Sequence, residues 1–298
     1  MGRVAFVFSG QGDQFPGMGK ELYETNTAAR KIFDLCDRLR PGTIRQCFSG
    51  TAEELKETAN TQPCLFAMEL AAAEVLREKG IVPDAAAGFS LGEVTAATFA
   101  GLFDYATGFT LVCRRGQLMQ AAAEKQDTAM AAVVKLPAET VEALCAKHEG
   151  LYPVNYNCPG QITVSGLSSE MAAFSAEVKA AGGRALPLKV KGAFHSPFMA
   201  DAAKAFAEDL AKTEMNPPTI SLYSDVTAEE YSGDPAYLLA KQIASPVRWE
   251  ALVRNLIAAG VDTFIEIGPG KTLANMITKI DPAVKAMPYT AFLEESVC

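Results

Sequence analysis

The five residues "GFSLG", Gly88 to Gly92, match G-x-S-x-G, the pattern of a serine projected from a sharp turn between a strand and a helix. The run "PDAAAG" leading into it reads as a short strand, and the run after it as a helix closing at Gly101. In that context the helix N-terminus supplies main-chain N–H groups, and the flanking glycines keep side chains off neighbouring backbone. Ser90 is therefore a candidate nucleophile, although the same five residues could form a plain structural turn. A nucleophilic serine needs a base, most often a histidine, and the chain has two. His148, in "CAKHEG", falls at the polar end of a helix, where a cationic ring suits the helix dipole. His195, in "VKGAFHSPFM", falls in a bend leaving a strand, where catalytic groups are commonly held, so elimination makes it the candidate base.

Arg115 is the third chemical candidate. In "TGFTLVCRRGQLMQAA" the residues Leu111, Val112, Leu118, Met119 and Ala122 form one helical stripe, and Arg115 lies on it while Arg114 faces away. A guanidinium on a core-facing stripe must be paired or must look into a cleft. It is either half of a buried ion pair with Asp or Glu, or a fork that grips a substrate carboxylate through two parallel hydrogen bonds.

The glycine-rich "VAFVFSGQGDQFPGMG" resembles the start of a nucleotide-binding loop, but counting excludes it. A dinucleotide fingerprint from Gly10 and Gly12 puts Phe15 at the third glycine, and a phosphate loop ending in "GKT" puts Ile265 at its first. What remains is a strand-end loop that needs a bare backbone for another purpose.

These residues must be positioned by a chain of 298 residues, 49% hydrophobic and 21% charged, which suits a soluble globular protein of roughly two domain-sized units. A net charge of -8 argues against a general nucleic-acid binder. Seven cysteines (Cys36, Cys47, Cys64, Cys113, Cys145, Cys158, Cys298) show no C-x-x-C pair and no histidine at metal spacing, which predicts reduced thiols and no metal site. "MGRVAF" is neither a secretory signal nor a myristoylation motif, and no apolar stretch approaches the roughly 20 residues that span a bilayer. The expectation is a cytoplasmic protein away from membranes.

Strands alternate with helices through the first hundred residues: "VAFVF", a helix over Lys20 to Arg38, a helix opened by Pro63 and closed by Gly80, then the strand and helix around Ser90. This predicts an α/β core with a mainly parallel sheet. Between 126 and 191 the order changes to βαββαβ, with Pro159-Gly160 as the central hairpin turn, the ferredoxin-like pattern. The expected organisation is a core of residues 1–125 and 192–298 interrupted by a subdomain of 126–191. A helix from Pro197 to Thr213, a strand at Ile220 to Ser224, and the pair "VDTFIEI" and "GPGKTLANMITKI" complete the core.

Seven stretches, "FVFSGQGDQFPGMG", "GFSLGE", "RRGQLMQ", "NYNCPGQITVSG", "GAFHSPFM", "ASPVRW" and "FIEIGPGKTL", occur in the order found in malonyl-CoA:acyl carrier protein transacylases, which the chain resembles along essentially its whole length. The resemblance implies a hydrolase-like α/β core with an inserted ferredoxin-like subdomain. It implies Ser90 as nucleophile, His195 as base, and the main-chain carbonyl of Gln242 as the group that orients the histidine. It also implies that Arg115 binds the malonyl carboxylate and that the amides of Gln11 and Leu91 form the oxyanion hole. Asn157, Gln161 and Arg184 match positions that contact coenzyme A, and Phe194 matches the bulky residue of malonyl-selective members. Most members carry His before the nucleophile, where this chain has Phe89, which bears on the shape and polarity of the acyl pocket.

The implied reaction passes malonyl from malonyl-CoA to Ser90 and then to the phosphopantetheine thiol of acyl carrier protein, with ping-pong kinetics and no resident cofactor. Lys189, Lys191, Arg184 and Lys271 are candidates for carrier docking. Polyketide synthase acyltransferases share the motifs. A serine esterase or thioesterase would use the same elbow with water as acceptor, but "HGGG" is absent and about a hundred residues follow His195. A non-catalytic carrier-binding module would have no use for both Ser90 and His195.

Overall fold

The computed structural model describes residues 2–297; Met1 and Cys298, the latter among the cysteines expected to be reduced, lie outside them. Nine strands are present among the described residues: β1 (Arg3–Phe8), β2 (Ala85–Gly88), β3 (Thr128–Val134), β4 (Leu151–Cys158), β5 (Gln161–Leu167), β6 (Arg184–Pro187), β7 (Ser221–Leu222), β8 (Val261–Ile267) and β9 (Lys285–Pro288).

Five of them form a parallel sheet in the order β7-β2-β1-β8-β9. β1 lies at its centre, and Ala5, Phe6, Val7 and Phe8 are all fully buried. An unbroken apolar run is what a parallel strand covered on both faces requires. Strand alternation sends Phe6 and Phe8 into one core cluster with the helices Thr58–Glu78 and Tyr105–Ala123, and Ala5 and Val7 into a second with Trp249, Leu252 and Ile277.

The other four strands form an antiparallel sheet, order β4-β5-β3-β6. In chain order this is second, third, first, fourth, the ferredoxin-like arrangement that the βαββαβ pattern predicts. Helices Ala138–Cys145 and Met171–Ala180 cover one face through Val141, Leu144, Phe174 and Val178, which pack on Val133, Ile162 and Val164. Gly160, at φ 72°, makes the expected hairpin turn.

Four local expectations are corrected. Lys20 to Arg38 is two helices, Lys20–Thr25 and Thr27–Leu39, because the Asn26 side chain accepts from the amides of Ala28 and Ala29 and starts the second. The helix expected to open at Pro63 starts at Thr58 and contains the proline, whose missing N–H removes one hydrogen bond without stopping the turn. The strand at Ile220 to Ser224 forms a ladder only over Ser221–Leu222. Finally, the helix Thr272–Ile280 is not the last element: β9 and a helix Tyr289–Val297 follow and extend the parallel sheet at its edge. None of the described helices is long and apolar enough to cross a membrane.

Candidate active site

The elbow is forced by close packing at the end of β2. Phe8 of β1 pairs with Gly88, and its carbonyl accepts from the Phe89 amide at 2.9 Å. A Cβ on Gly88 would stand 1.9 Å from the Gly92 carbonyl carbon, and one on Gly92 would stand 2.2 Å from the Phe8 carbonyl oxygen. Only glycine fits at either place, and the chain turns at Ser90 with φ 56° and ψ -104° before the helix Leu91–Phe99 begins. Four described non-glycine residues have positive φ, and Ser90 and His195 are two of them. Such conformations cost about 1–3 kcal/mol each and persist where the surroundings over-determine them.

Ser90 Oγ lies 2.7 Å from His195 Nε2, and His195 Nδ1 donates to the main-chain carbonyl of Gln242 at 2.9 Å. That donation fixes the tautomer, so Nε2 presents its lone pair to the serine hydroxyl. The ring is buried; burial first, and the neighbouring Arg115 charge second, push its pKa down to about 4. A neutral imidazole is thus ready to accept a proton at neutral pH. Its loop is tied to the antiparallel sheet, since the β5 residue Ser165 donates its hydroxyl to the Phe194 carbonyl at 3.1 Å. Phe194 itself is buried next to the histidine.

Arg115 is completely buried, yet it makes no ion pair within the described residues. Its Nη1 donates to Gln62 Oε1 at 2.9 Å, and its Nη2 to Gln242 Oε1 at 2.6 Å and to Ser90 Oγ at 3.3 Å. Nε has no partner among the described residues. Of the two readings open in the sequence, the buried ion pair is not what forms among the described residues: two neutral amide oxygens hold the fork beside Ser90. Burial lowers its pKa to about 10, against the pull of Glu93 and Asp225, so it stays cationic at neutral pH. Arg114 faces outward and pairs with Asp209.

The main-chain amides of Gln11 and Leu91 make no hydrogen bond among the described residues. Leu91 starts the helix behind Ser90, and the Gln11 loop lies against the elbow, because a Cβ on Gly10 would stand 2.9 Å from the Phe89 carbonyl. The Phe89 ring packs edge-on against Trp249 at 5.6 Å, with the core cluster opposite the one that Arg115's helix joins.

Gln161 and Arg184 both pair with Val134, so they occupy one row across the antiparallel sheet. Asn157 is buried on β4; its Nδ2 donates to Thr163 and its Oδ1 is unpartnered among the described residues. None of these three is hydrogen-bonded to Ser90 or His195 among the described residues. His148 is bonded to Glu170 at 3.0 Å, away from the dyad.

Sequence reading missed the polar layer beneath the elbow. Gln242 Nε2 donates to the Ser90 carbonyl at 2.7 Å, to Glu93 at 2.5 Å and to Asp225 at 3.2 Å, and Asp225 also accepts from the Ser90 amide at 2.7 Å. Tyr231 donates to Glu93 at 2.6 Å. Both carboxyl groups are fully buried, and desolvation holds their pKa values above the usual range, with the Glu93 charge adding to the effect at Asp225. The available signals were a glutamine and a glutamate inside otherwise largely apolar stretches: Gln62 in "TQPCLFAM" and Glu93 in "LGEVTAATFA".

The family model for the acyl transferase domain matches residues 5–289. The chain is 40% identical over 295 residues to the malonyl CoA-acyl carrier protein transacylase of Bacillus subtilis, covering 96% of this chain and 93% of that one. The crystal structure of a malonyl CoA-acyl carrier protein transacylase from Clostridium perfringens superposes with a TM-score of 0.95 at 30% identity, over 99% of this chain and 97% of that chain. A malonyl-transacylase solved in complex with its type II PKS acyl-carrier protein superposes with a TM-score of 0.94 at 31% identity, over 98% and 99% of the two chains.

Proposed function

The chain belongs to the acyl transferase domain family, among the malonyl CoA-acyl carrier protein transacylases, and from that premise we infer what each residue of the site does. The enzyme transfers malonyl from malonyl-CoA to acyl carrier protein. One observation supports the choice of acyl group above the rest: a fully buried guanidinium, with no acid in contact among the described residues, is held by two neutral amide oxygens and donates to the nucleophilic oxygen at 3.3 Å.

In the first half-reaction Ser90 Oγ attacks the thioester carbonyl as its proton passes to His195 Nε2. The oxyanion is met by the amides of Gln11 and Leu91, donors of a kind worth about 10² to 10³ in rate each. The C–S bond breaks, coenzyme A leaves with the proton from His195, and malonyl-Ser90 remains. In the second half the phosphopantetheine thiol gives its proton to His195 and attacks the ester, and Ser90 recovers the proton as its bond breaks. Arg115 grips the malonyl carboxylate through both steps. Phe194 closes the space beside the α-carbon, and Phe89 shapes the pocket through the Gly10 loop it packs against. Asn157, Gln161 and Arg184 line the coenzyme A path.

The same reading divides the chain into a core of 1–125 and 192–298 and a subdomain of 126–191, and locates it in the cytoplasm. It needs no cofactor, metal, nucleic acid or membrane. Fatty acid biosynthesis is the pathway we assign; the PKS carrier in the complex noted above favours polyketide synthesis as the second reading.

Mass spectrometry of Ser90 adducts with malonyl-, methylmalonyl- and acetyl-CoA tests the scheme, with carrier proteins of both pathways as acceptors. The wild type forms a malonyl ester in preference to the other two. Arg115→Ala lowers malonyl loading by about 10²-fold, as loss of charge-assisted bonds of roughly 1.5–3 kcal/mol each requires, and spares acetyl loading. An equal effect on both donors would sink the assignment of Arg115.

A further inference from the structure

Gln242 orients His195 through its main-chain carbonyl, but its side chain also joins Arg115 to Glu93, Asp225 and the Ser90 carbonyl. We propose that Glu93 is a positioning residue for substrate choice: it fixes the Gln242 amide so that the oxygen, and not the nitrogen, meets Arg115. This inference rests on the reading of Arg115 as the carboxylate fork.

The argument is one of donors and acceptors. A side-chain amide has an accepting end and a donating end. Glu93 sits wholly buried with Oε1 accepting from Tyr231 and Oε2 accepting from Gln242 Nε2 at 2.5 Å. Asp225 Oδ2, also buried, faces the same Nε2 at 3.2 Å, and the Ser90 carbonyl faces it at 2.7 Å. The Ser90 carbonyl can only accept, and the oxygens of Glu93 and Asp225 crowd the same NH2, so a turned amide would set its oxygen against the carbonyl oxygen. The outer end of the amide is therefore an oxygen, and it receives Arg115 Nη2 at 2.6 Å. Turned over, it would present a second donor to the guanidinium and drive the fork away from Ser90.

The arrangement also explains how a buried cation stays available to a substrate. An acid in direct contact would occupy the face of the fork that a malonyl carboxylate needs, and would hold it as an ion pair. Here Glu93 and Asp225 act on the guanidinium from beyond Gln242, favouring its charged form while leaving it bonded only to amide and hydroxyl oxygens.

The test compares Glu93→Gln, Gln242→Met and Arg115→Ala for the ratio of malonyl to acetyl loading on Ser90, with thermal unfolding as a check on folding. Gln242→Met keeps the main-chain carbonyl that orients His195 and stands in should Glu93→Gln fail to fold. The expected result is an approximately tenfold fall in the ratio in each of the first two, mostly through malonyl loading, a difference of about 1.4 kcal/mol. Added to Arg115→Ala, neither lowers the ratio further, as coupled neighbours on one interaction require. Variants that keep the wild-type ratio, while Arg115→Ala abolishes it, overturn the role of Glu93 and leave the fork intact. Equal loss with both donors shows general structural damage and also overturns it. An Arg115→Ala enzyme with an unchanged ratio overturns the fork and this inference together.

Discussion

At His195, burial and the Arg115 charge act in the same direction, and the pH response follows from their sum. In the folded protein the ring takes a proton only below about pH 4, whereas an unperturbed histidine does so near 6.5. Between these values the unfolded chain binds more protons, so this group's contribution to stability is lost as pH falls from about 6.5 toward 4 and changes no further below. The expected outcome is an acid limb of kcat/KM for Ser90 loading well below pH 6, and a urea midpoint that falls over that range more in the wild type than in His195→Gln. Arg115→Ala moves the limb upward, because the charge that depresses the pKa has gone. The meeting of Ser90 with His195 and the burial of Arg115 were legible because few alternatives existed: one elbow motif, two histidines, and a cation on an apolar stripe. Glu93, Asp225 and Gln62 were not, because a sequence does not reveal that residues from separate elements meet below one turn. The same limit kept both readings of Arg115 open, since the distance from its fork to an acid is a tertiary quantity.

The elements that carry the dyad are set by contact between backbones. With Gly92 against the Phe8 carbonyl and Gly88 against Gly92, a methyl group at either position must separate the elbow from the central strand. Gly92→Ala is expected to destabilise by about 3 kcal/mol, at the upper end for overpacking, and to reduce Ser90 loading beyond what stability explains. Thermal unfolding should register a drop of about 2–4 °C for each kcal/mol in a chain of this size class. β1 and β2 were readable from unbroken apolar runs because strands covered on both faces tend to be apolar, and β8 from its Phe264-Ile265 centre in spite of Asp262, Thr263 and Glu266. The break at Asn26 and the early start at Thr58 escaped because capping and tertiary packing decide them, and neither leaves a periodic trace. β9 escaped because its run "KAMP" is too short and half-exposed to stand out.

Across the whole molecule the net charge is -8, and the lysines that are candidates for carrier docking stand among acids. Lys189 and Lys191 form one side of a groove of about 790 Å³ whose lining also includes Glu53, Glu57, Glu124 and Asp127, and its Thr58 is the hydrogen-bond acceptor of the Gln11 side chain at 3.5 Å. The exposed Leu186 and Leu188 lie just before these lysines. Reversing both charges, Lys189→Glu with Lys191→Glu, should raise the carrier-protein KM about tenfold at low salt and flatten its salt dependence, leaving malonyl-Ser90 formation unchanged. Steady-state transfer at two ionic strengths measures this, and an unaltered KM would remove these lysines from the docking surface. The antiparallel sheet carries a different kind of consequence. The chain departs at Asp127 and is back at Leu188, whose amide donates to Met130 at 2.9 Å, so the inserted sheet closes its own loop. Loop-closure entropy grows by only about 0.6 kcal/mol per doubling of length, and here even that falls on the insert's own pairing and not on the parallel core. The insert is nevertheless seated on the core, since the Tyr156 amide donates to the Val247 carbonyl at 2.9 Å and the Val247 amide to the Val154 carbonyl at 2.8 Å, so a relative's insert must reproduce this seam as well as its own pairing. It must also bring a donor where Ser165 holds the Phe194 carbonyl, or the histidine loses its seat.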